Sequence, residues 1–179
     1  MFTDKFPGAD ANNVRDGATI RCVVDGITYT ATVHTDDSAG PPDKEDEGFW
    51  PSLDPADEGY IGENPTRPYE DQMRDCKAVM RRYKRGEMIY CGVAVTASIA
   101  GVELLGAWTH ALWRIDINWP FGDNSYLTEA ANELLPEAKA QAQAHISEHI
   151  TRLLGQTARL GDQITQLEAV ATLLEARDA

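Results

Sequence analysis

Nine positions spaced alternately four and three residues apart run through the end of the chain: Ile146, Ile150, Leu153, Thr157, Leu160, Ile164, Leu167, Ala171 and Leu174. Side chains at this spacing share one stripe of a helix under-wound to 3.5 residues per turn, the pattern of a leucine zipper, and it predicts self-association. With Ile146, Leu153, Leu160, Leu167 and Leu174 at the d positions, the a positions hold Ile150, Thr157, Ile164 and Ala171. β-branched a with leucine d favours two parallel strands, so a parallel homodimer is the first expectation. The flanking e and g positions offer almost no complementary charges, and Leu154, Val170 and Leu173 widen the apolar face. Packing on its own domain, or antiparallel pairing, are the alternatives.

Upstream the pattern changes period. Thr19–Val24 and Thr28–Val33 are rich in β-branched residues and flank Asp25-Gly26, the signature of a tight hairpin. Ile89, Cys91, Val93, Val95 and Ile99 alternate with smaller or more polar residues, and Ala100-Gly101 turns the chain into Val102–Leu105. Trp113, Ile115 and Ile117 alternate with Arg114, Asp116 and Asn118, which predicts one buried and one wet face. Between these regions Met73, Cys76, Met80 and Tyr83, with Val79 beside them, give a helix over Tyr69–Arg85, opened by Pro68 and stopped by Gly86.

After Trp119-Pro120-Phe121-Gly122, the run Asp123-Asn124-Ser125 offers N-caps for a helix with Leu127, Ala130, Ala131 and Leu134 on its apolar side. Pro136 is expected to kink that helix or to start a new one. Helical composition then continues to about Ala176, and forty such residues would reach about 60 Å, more than a small domain can cover. The expected architecture is α+β: an antiparallel sheet of about five strands with covering helices over residues 1–135, and a long coiled-coil helix over residues 136–179.

Residues 35–67 form a loop dense in Pro, Gly and acid, too long for an idle connection in a compact domain. Phe49, Trp50, Leu53, Tyr60 and Ile61 within it argue that parts of it dock. Charge sharpens this. The chain of 179 residues has a formal net charge of −13, and Met1–Asp75 holds 17 acids against 6 bases. Cys76–Tyr90 reverses the sign, with 5 bases and 1 acid. Acids early and bases late in the Tyr69–Arg85 helix match its dipole, which explains the cluster structurally; a phosphate or partner contact is the other reading. A uniformly acidic surface repels phosphate backbones, so nucleic-acid binding is not expected and a basic protein is the better partner. A DNA-binding zipper is excluded by sign: residues 129–148 carry Glu129, Glu133, Glu137 and Glu148 against Lys139 alone. The candidate partner-binding residues are Asp36, Asp37, Asp43, Glu45, Asp46, Glu47, Trp50, Asp57 and Glu58.

Motifs for chemistry are sparse. His145-Ile146-Ser147-Glu148-His149 matches H-x-x-E-H, a possible zinc pair with a glutamate base, but these residues sit at outward or flanking heptad positions with no further ligand. His34, Asp36 and Asp37 form a weaker acid-base or cation set, more simply read as turn formation. His110, between Trp108 and Trp113 in sequence, is expected to be a satisfied, partly buried imidazole rather than a base. Cys22, Cys76 and Cys91 are odd in number and far apart, and read as reduced, buried thiols. No cofactor is expected. No run of about 18 apolar residues could span a bilayer, and the polar start carries no signal segment, so a cytoplasmic protein is expected.

The segments Ile20-Arg21-Cys22-Val23-Val24-Asp25-Gly26-Ile27-Thr28, His34–Pro42, Gly101-Val102-Glu103-Leu104, Leu112-Trp113, Asp123-Asn124-Ser125-Tyr126-Leu127 and Ala131-Asn132-Glu133-Leu134 together resemble a family of short, uncharacterised bacteriophage and prophage proteins. The likeness spans about Gly17–Ala138 and leaves the zipper outside. It implies a phage-encoded protein acting in the bacterial cytoplasm, and brings no activity with it. The leading expectation is a non-enzymatic homodimer that presents its acidic loop to a basic host protein, in the manner of a DNA mimic. A small metal-dependent hydrolase using His34, Asp36 and Asp37, or His145, Glu148 and His149, is one alternative. A structural assembly factor using only the coiled coil is the other.

Overall fold

The computed structural model describes residues 1–8, 13–120 and 123–178, with side-chain surroundings inside the last helix described as far as residue 169. The chain divides into two units, Met1–Ala138 and Lys139–Ala179.

In the first unit, β1 (Thr19–Val24) and β2 (Ile27–Thr35) form the expected hairpin. Asp25 and Gly26 take φ of 52° and 78°, the left-handed pair that a two-residue turn needs to follow the strand twist. β2 pairs along its length with β3 (Ile89–Ile99), which turns through Ala100-Gly101 into β4 (Val102–Leu105). β5 (Ala111–Ile117) also pairs with β3. The far edge of β3 is thus shared: β5 takes residues 89–94 and β4 residues 97–99. The four strand pairings of the sheet are antiparallel.

β3 departs from simple alternation. Tyr90 through Val95 are all buried, so the strand is covered on both sides, as a central strand is. On one face its Cys91, Val93, Val95 and Ala97 stand opposite Thr35, Val33, Ala31 and Tyr29. On the other, Gly92, Ala94, Thr96 and Ser98 stand opposite His34, Thr32, Thr30 and Thr28. A short helix α1 (Pro42–Glu45) and α2 (Tyr69–Lys84) pack together, and Val79, Met88 and Tyr90 form a cluster joined by Ala39, Phe49, Tyr83 and Trp119. Only Val79 of α2 is fully buried; Met73, Cys76, Met80 and Tyr83 are half-buried, and Pro68 is the N-cap rather than the first helical residue.

β5 corrects the expected alternation. Cys91 pairs with Ile115 and Val93 with Leu112, so two steps on β3 match three on β5. Trp113 and Arg114 together oppose Gly92, and Arg114 takes φ of 63°. An extra residue reverses the side-chain alternation beyond it. Trp113 therefore lies against Gly92, on the face opposite Ile115 and Ile117, and stays 41 % exposed.

α3 (Tyr126–Asp178) begins in the first unit, burying Leu127, Ala130, Ala131, Leu135 and Ala138. The Tyr126 hydroxyl donates to the Asp116 carbonyl, and the Glu137 carboxylate lies 3.9 Å from Nδ1 of the buried His110. The N-terminal segment crosses the start of α3: the Phe2 amide donates to Asn132 Oδ1, Asn132 Nδ2 donates back to the Phe2 carbonyl, and Phe2, Phe6 and Val14 are buried. Pro136 lies inside this helix, neither ending it nor opening another. It removes the hydrogen bond it would have donated to residue 132 and crowds that carbonyl, and the burial of Leu135 and Ala138 on either side offsets the cost.

In the second unit α3 carries the heptad seam. Ile146 is half-buried, while Ile150, Leu153, Leu160, Ile164 and Leu167 are exposed, Leu167 to 69 %. The exposed Thr157 turns its hydroxyl onto the Leu153 carbonyl. Ala171 and Leu174 fall outside the residues whose side chains are described.

Candidate partner-binding groove

The acidic loop has a defined course. Gly48 takes φ of 72°, and a Cβ on Gly59 would stand 1.9 Å from the Trp50 carbonyl oxygen, so the two limbs touch only because residue 59 has no side chain. A bridge joins Ser52 to Tyr60, with the Ser52 amide donating to the Gly59 carbonyl and the Ile61 amide to the Ser52 carbonyl. The Ser52 hydroxyl donates to Asp57 at 2.6 Å and accepts from the Asp54 amide. Cys76 of α2 donates its thiol hydrogen to the Phe49 carbonyl at 3.0 Å, tying the loop to the helix.

This course folds the limbs around an open groove of about 480 Å³. Asp43, Asp46, Glu47, Asp57 and Glu58 line it, with Lys44 as the single base. Phe49 and Trp50 meet edge to face at 5.0 Å, and Trp50 is 37 % exposed. The Tyr90 hydroxyl reaches Asp46 at 3.4 Å from beneath. Burial, and then the charges of Asp46 and Asp116, push the Tyr90 phenol far above its ordinary value, so it serves Asp46 only as a donor. Chemically the groove offers more acceptors than donors, beside an aromatic edge: a receptor for guanidinium or ammonium groups on apolar stems.

Six of the nine anticipated partner residues converge here: Asp43, Asp46, Glu47, Trp50, Asp57 and Glu58. Glu45 turns away, accepting from the Gly40 amide at 2.7 Å and facing Arg114 at 3.4 Å. Asp36 accepts from the Ser38 hydroxyl and amide, which hold its carboxyl below the usual value. Asp37 borders a separate depression beside Tyr83 and Lys84. Phe49, Ser52 and Gly59 also line the groove without being among the expected partner residues; the glycines directly ahead of Phe49-Trp50 and of Tyr60 are their trace in the sequence.

The alternative centres disperse. The His34 ring packs 4.6 Å from that of Trp108 while Asp36 engages Ser38. His145, Glu148 and His149 are exposed, and His149 Nδ1 lies 2.7 Å from Arg152. Among the described residues no three His, Cys, Asp or Glu side chains are grouped to hold a metal ion. The three cysteines are free; Cys91 is buried and its thiol is pushed up to about 12, chiefly by burial, while Cys22 and Cys76 are half-buried. Among the described residues no helix is long and apolar enough to cross a membrane. No protein-family model, curated protein or solved structure matches the chain.

Proposed function

We propose that this is a non-enzymatic, homodimeric protein-binding protein whose acidic groove receives a basic segment of a partner. One observation carries the reading: five carboxylates and a single lysine gather around the Phe49–Trp50 pair in one groove. Trp50 is the anchor, the carboxylates supply attraction and orientation, and the exposed seam of α3 pairs two copies so that two grooves act together. The resemblance over Gly17–Ala138 favours a phage-encoded protein in the bacterial cytoplasm, where a basic host factor, such as one that ordinarily grips DNA phosphates, is the natural target.

The test uses the full chain and an arginine-rich peptide followed by calorimetry. Binding should weaken steeply with added salt, because exposed charges are screened beyond about 8 Å at physiological ionic strength. Trp50→Ala should cost about 1 to 2 kcal/mol, and neutralising Asp43, Asp46, Glu47, Asp57 and Glu58 as amides should abolish binding. Affinity indifferent to salt and to these substitutions would defeat the proposal.

A further inference from the structure

A second feature, outside the lining of the acidic groove, is a tryptophan platform on the face of the sheet that carries His34 and Gly92. The indoles of Trp108 and Trp113 lie 5.7 Å apart and 25° from parallel, and the His34 ring packs against Trp108 at 4.6 Å. Trp108 is 61 % exposed. Three departures from regular structure converge on this pair. Gly92, in the most buried strand, leaves the space Trp113 occupies, since a Cβ there would stand 2.5 Å from its ring. The extra residue of β5 turns Trp113 onto this face, and Arg114 beside it holds a left-handed φ. Backbone strain of this kind clusters at functional sites; here it seats Trp113 between Gly92 and Trp108 and leaves Trp108 as the more exposed indole of the stack.

Beside the platform Trp113 shares a cleft of about 430 Å³ with Asp36, Ser38 and Arg114. It offers a carboxylate, a hydroxyl and a guanidinium at the edge of a flat apolar surface. Threonines 28, 30, 32 and 96 continue the same sheet face. The chemistry narrows the ligand. Arg114 is already met by Glu45 at 3.4 Å and by the charge of Asp36, so an anion would meet carboxylates and a cation would meet the guanidinium. The indoles stack on each other at 5.7 Å, which leaves no gap between them for a caged cation. A nucleic-acid strand would bring its phosphates against a chain of net charge −13. A neutral ring with an apolar face and a rim of hydroxyl groups suits the capacity these groups retain: its C–H face covers the exposed indole of Trp108, and adjacent hydroxyls donate to the second oxygen of Asp36 and accept from the Arg114 N–H groups that Glu45 does not take. We infer that Trp108 and Trp113, with Asp36 and Arg114, form a carbohydrate-binding site for a neutral pyranose of an oligosaccharide.

The test titrates the intact protein with cellohexaose, chitohexaose, maltohexaose and mannohexaose, reading tryptophan fluorescence and heat. At least one sugar should bind, with Trp108→Ala weakening it by about tenfold or more and Asp36→Asn by a smaller factor. Trp108 is exposed, so its loss leaves the fold intact, which circular dichroism verifies. Trp50→Ala, in the acidic groove, should leave sugar affinity unchanged and so keeps this site apart from the proposed protein-binding one. The inference is overturned if none of the four sugars binds at millimolar concentration or if Trp108→Ala binds like the parent. It is equally overturned if Trp108→Ala instead abolishes capture of the arginine-rich peptide, which would make the platform a cation site.

Discussion

Gly92 lies directly under the six-membered ring of Trp113: a Cβ added to the glycine would stand 2.5 Å from Cε3 and 2.7 Å from Cδ2. The backbone at residue 92 is ordinary strand, so alanine is excluded by the indole and not by conformation. Gly92→Ala should therefore destabilise the fold by about 1 to 3 kcal/mol, the usual cost of overpacking, read as a lower urea midpoint. Trp113→Val should relieve most of it. A double-mutant cycle giving additive losses would show that the two residues do not meet.

Asn118 performs a different task in the same unit. Its Oδ1 accepts from the Val14 amide at 3.1 Å and its Nδ2 donates to the Val14 carbonyl at 3.0 Å, while its own amide donates to Asn124 Oδ1 at 2.8 Å. Asn124 completes the ring by donating to Asn118 Oδ1. Both side chains are buried, and Asn118 has φ of 65°, which asparagine tolerates better than most residues. Asn118→Ala leaves both Val14 backbone groups without their partner and strains the backbone, a loss of about 3 kcal/mol by chemical denaturation. Loss of protection at the Val14 amide in hydrogen exchange should accompany it.

What the sequence disclosed and what it hid divide along the range of the interactions. The Asp25-Gly26 and Ala100-Gly101 turns, the span of α2 and the five strands follow from local patterns, because dihedral preference and side-chain period are written in neighbouring residues. The bulge opposite Gly92 is a relation between strands twenty residues apart, and it moved Trp113 from the expected inner face to the outer one. In the same way, acidic composition marked the loop but not its course. Glu45 left the groove for Arg114 and the Gly40 amide, contacts that no spacing announces. At Pro136 a new helix was one of two expectations, and the helix instead runs on through it, with Leu135 and Ala138 buried on either side.

Asp116 makes a pH prediction with a definite sign. Burial lifts its carboxyl above the usual value, its own backbone hydrogen bond opposes the shift, and the nearby Asp46 charge adds to it. Below the unfolded value of about 3.9 both states hold the proton and the residue is neutral to stability. As pH rises through that value and on to the folded one, the unfolded chain ionises first and stability falls, then stays lower. Asp116→Asn should match the parent near pH 3 and exceed it at pH 7, measured as urea midpoints at both pH values. A variant less stable than the parent at pH 7 would show that the carboxylate is favourably held.

The seam of α3 makes the last prediction, and its control lies on the same helix. Leu160 and Ile164 are 59 % and 57 % exposed, and Leu153 48 %, an apolar stripe that water would otherwise cover along several turns. If two copies pair along it, Leu160 enters a dry interface, and Leu160→Asp would bury an unpaired carboxylate there, weakening the dimer by about 100-fold or more. Gln166, exposed and two positions past the seam residue Ile164, takes the same new charge without entering the interface, so Gln166→Asp should dissociate like the parent. Light scattering over a dilution series reads both, with the full chain at twice its 19.7 kDa mass and the Met1–Ala138 unit at its own monomer mass. A full chain that remains monomeric at high concentration, or a Leu160→Asp variant that dimerises unchanged, would remove the seam as the pairing surface and with it the doubling of the acidic groove.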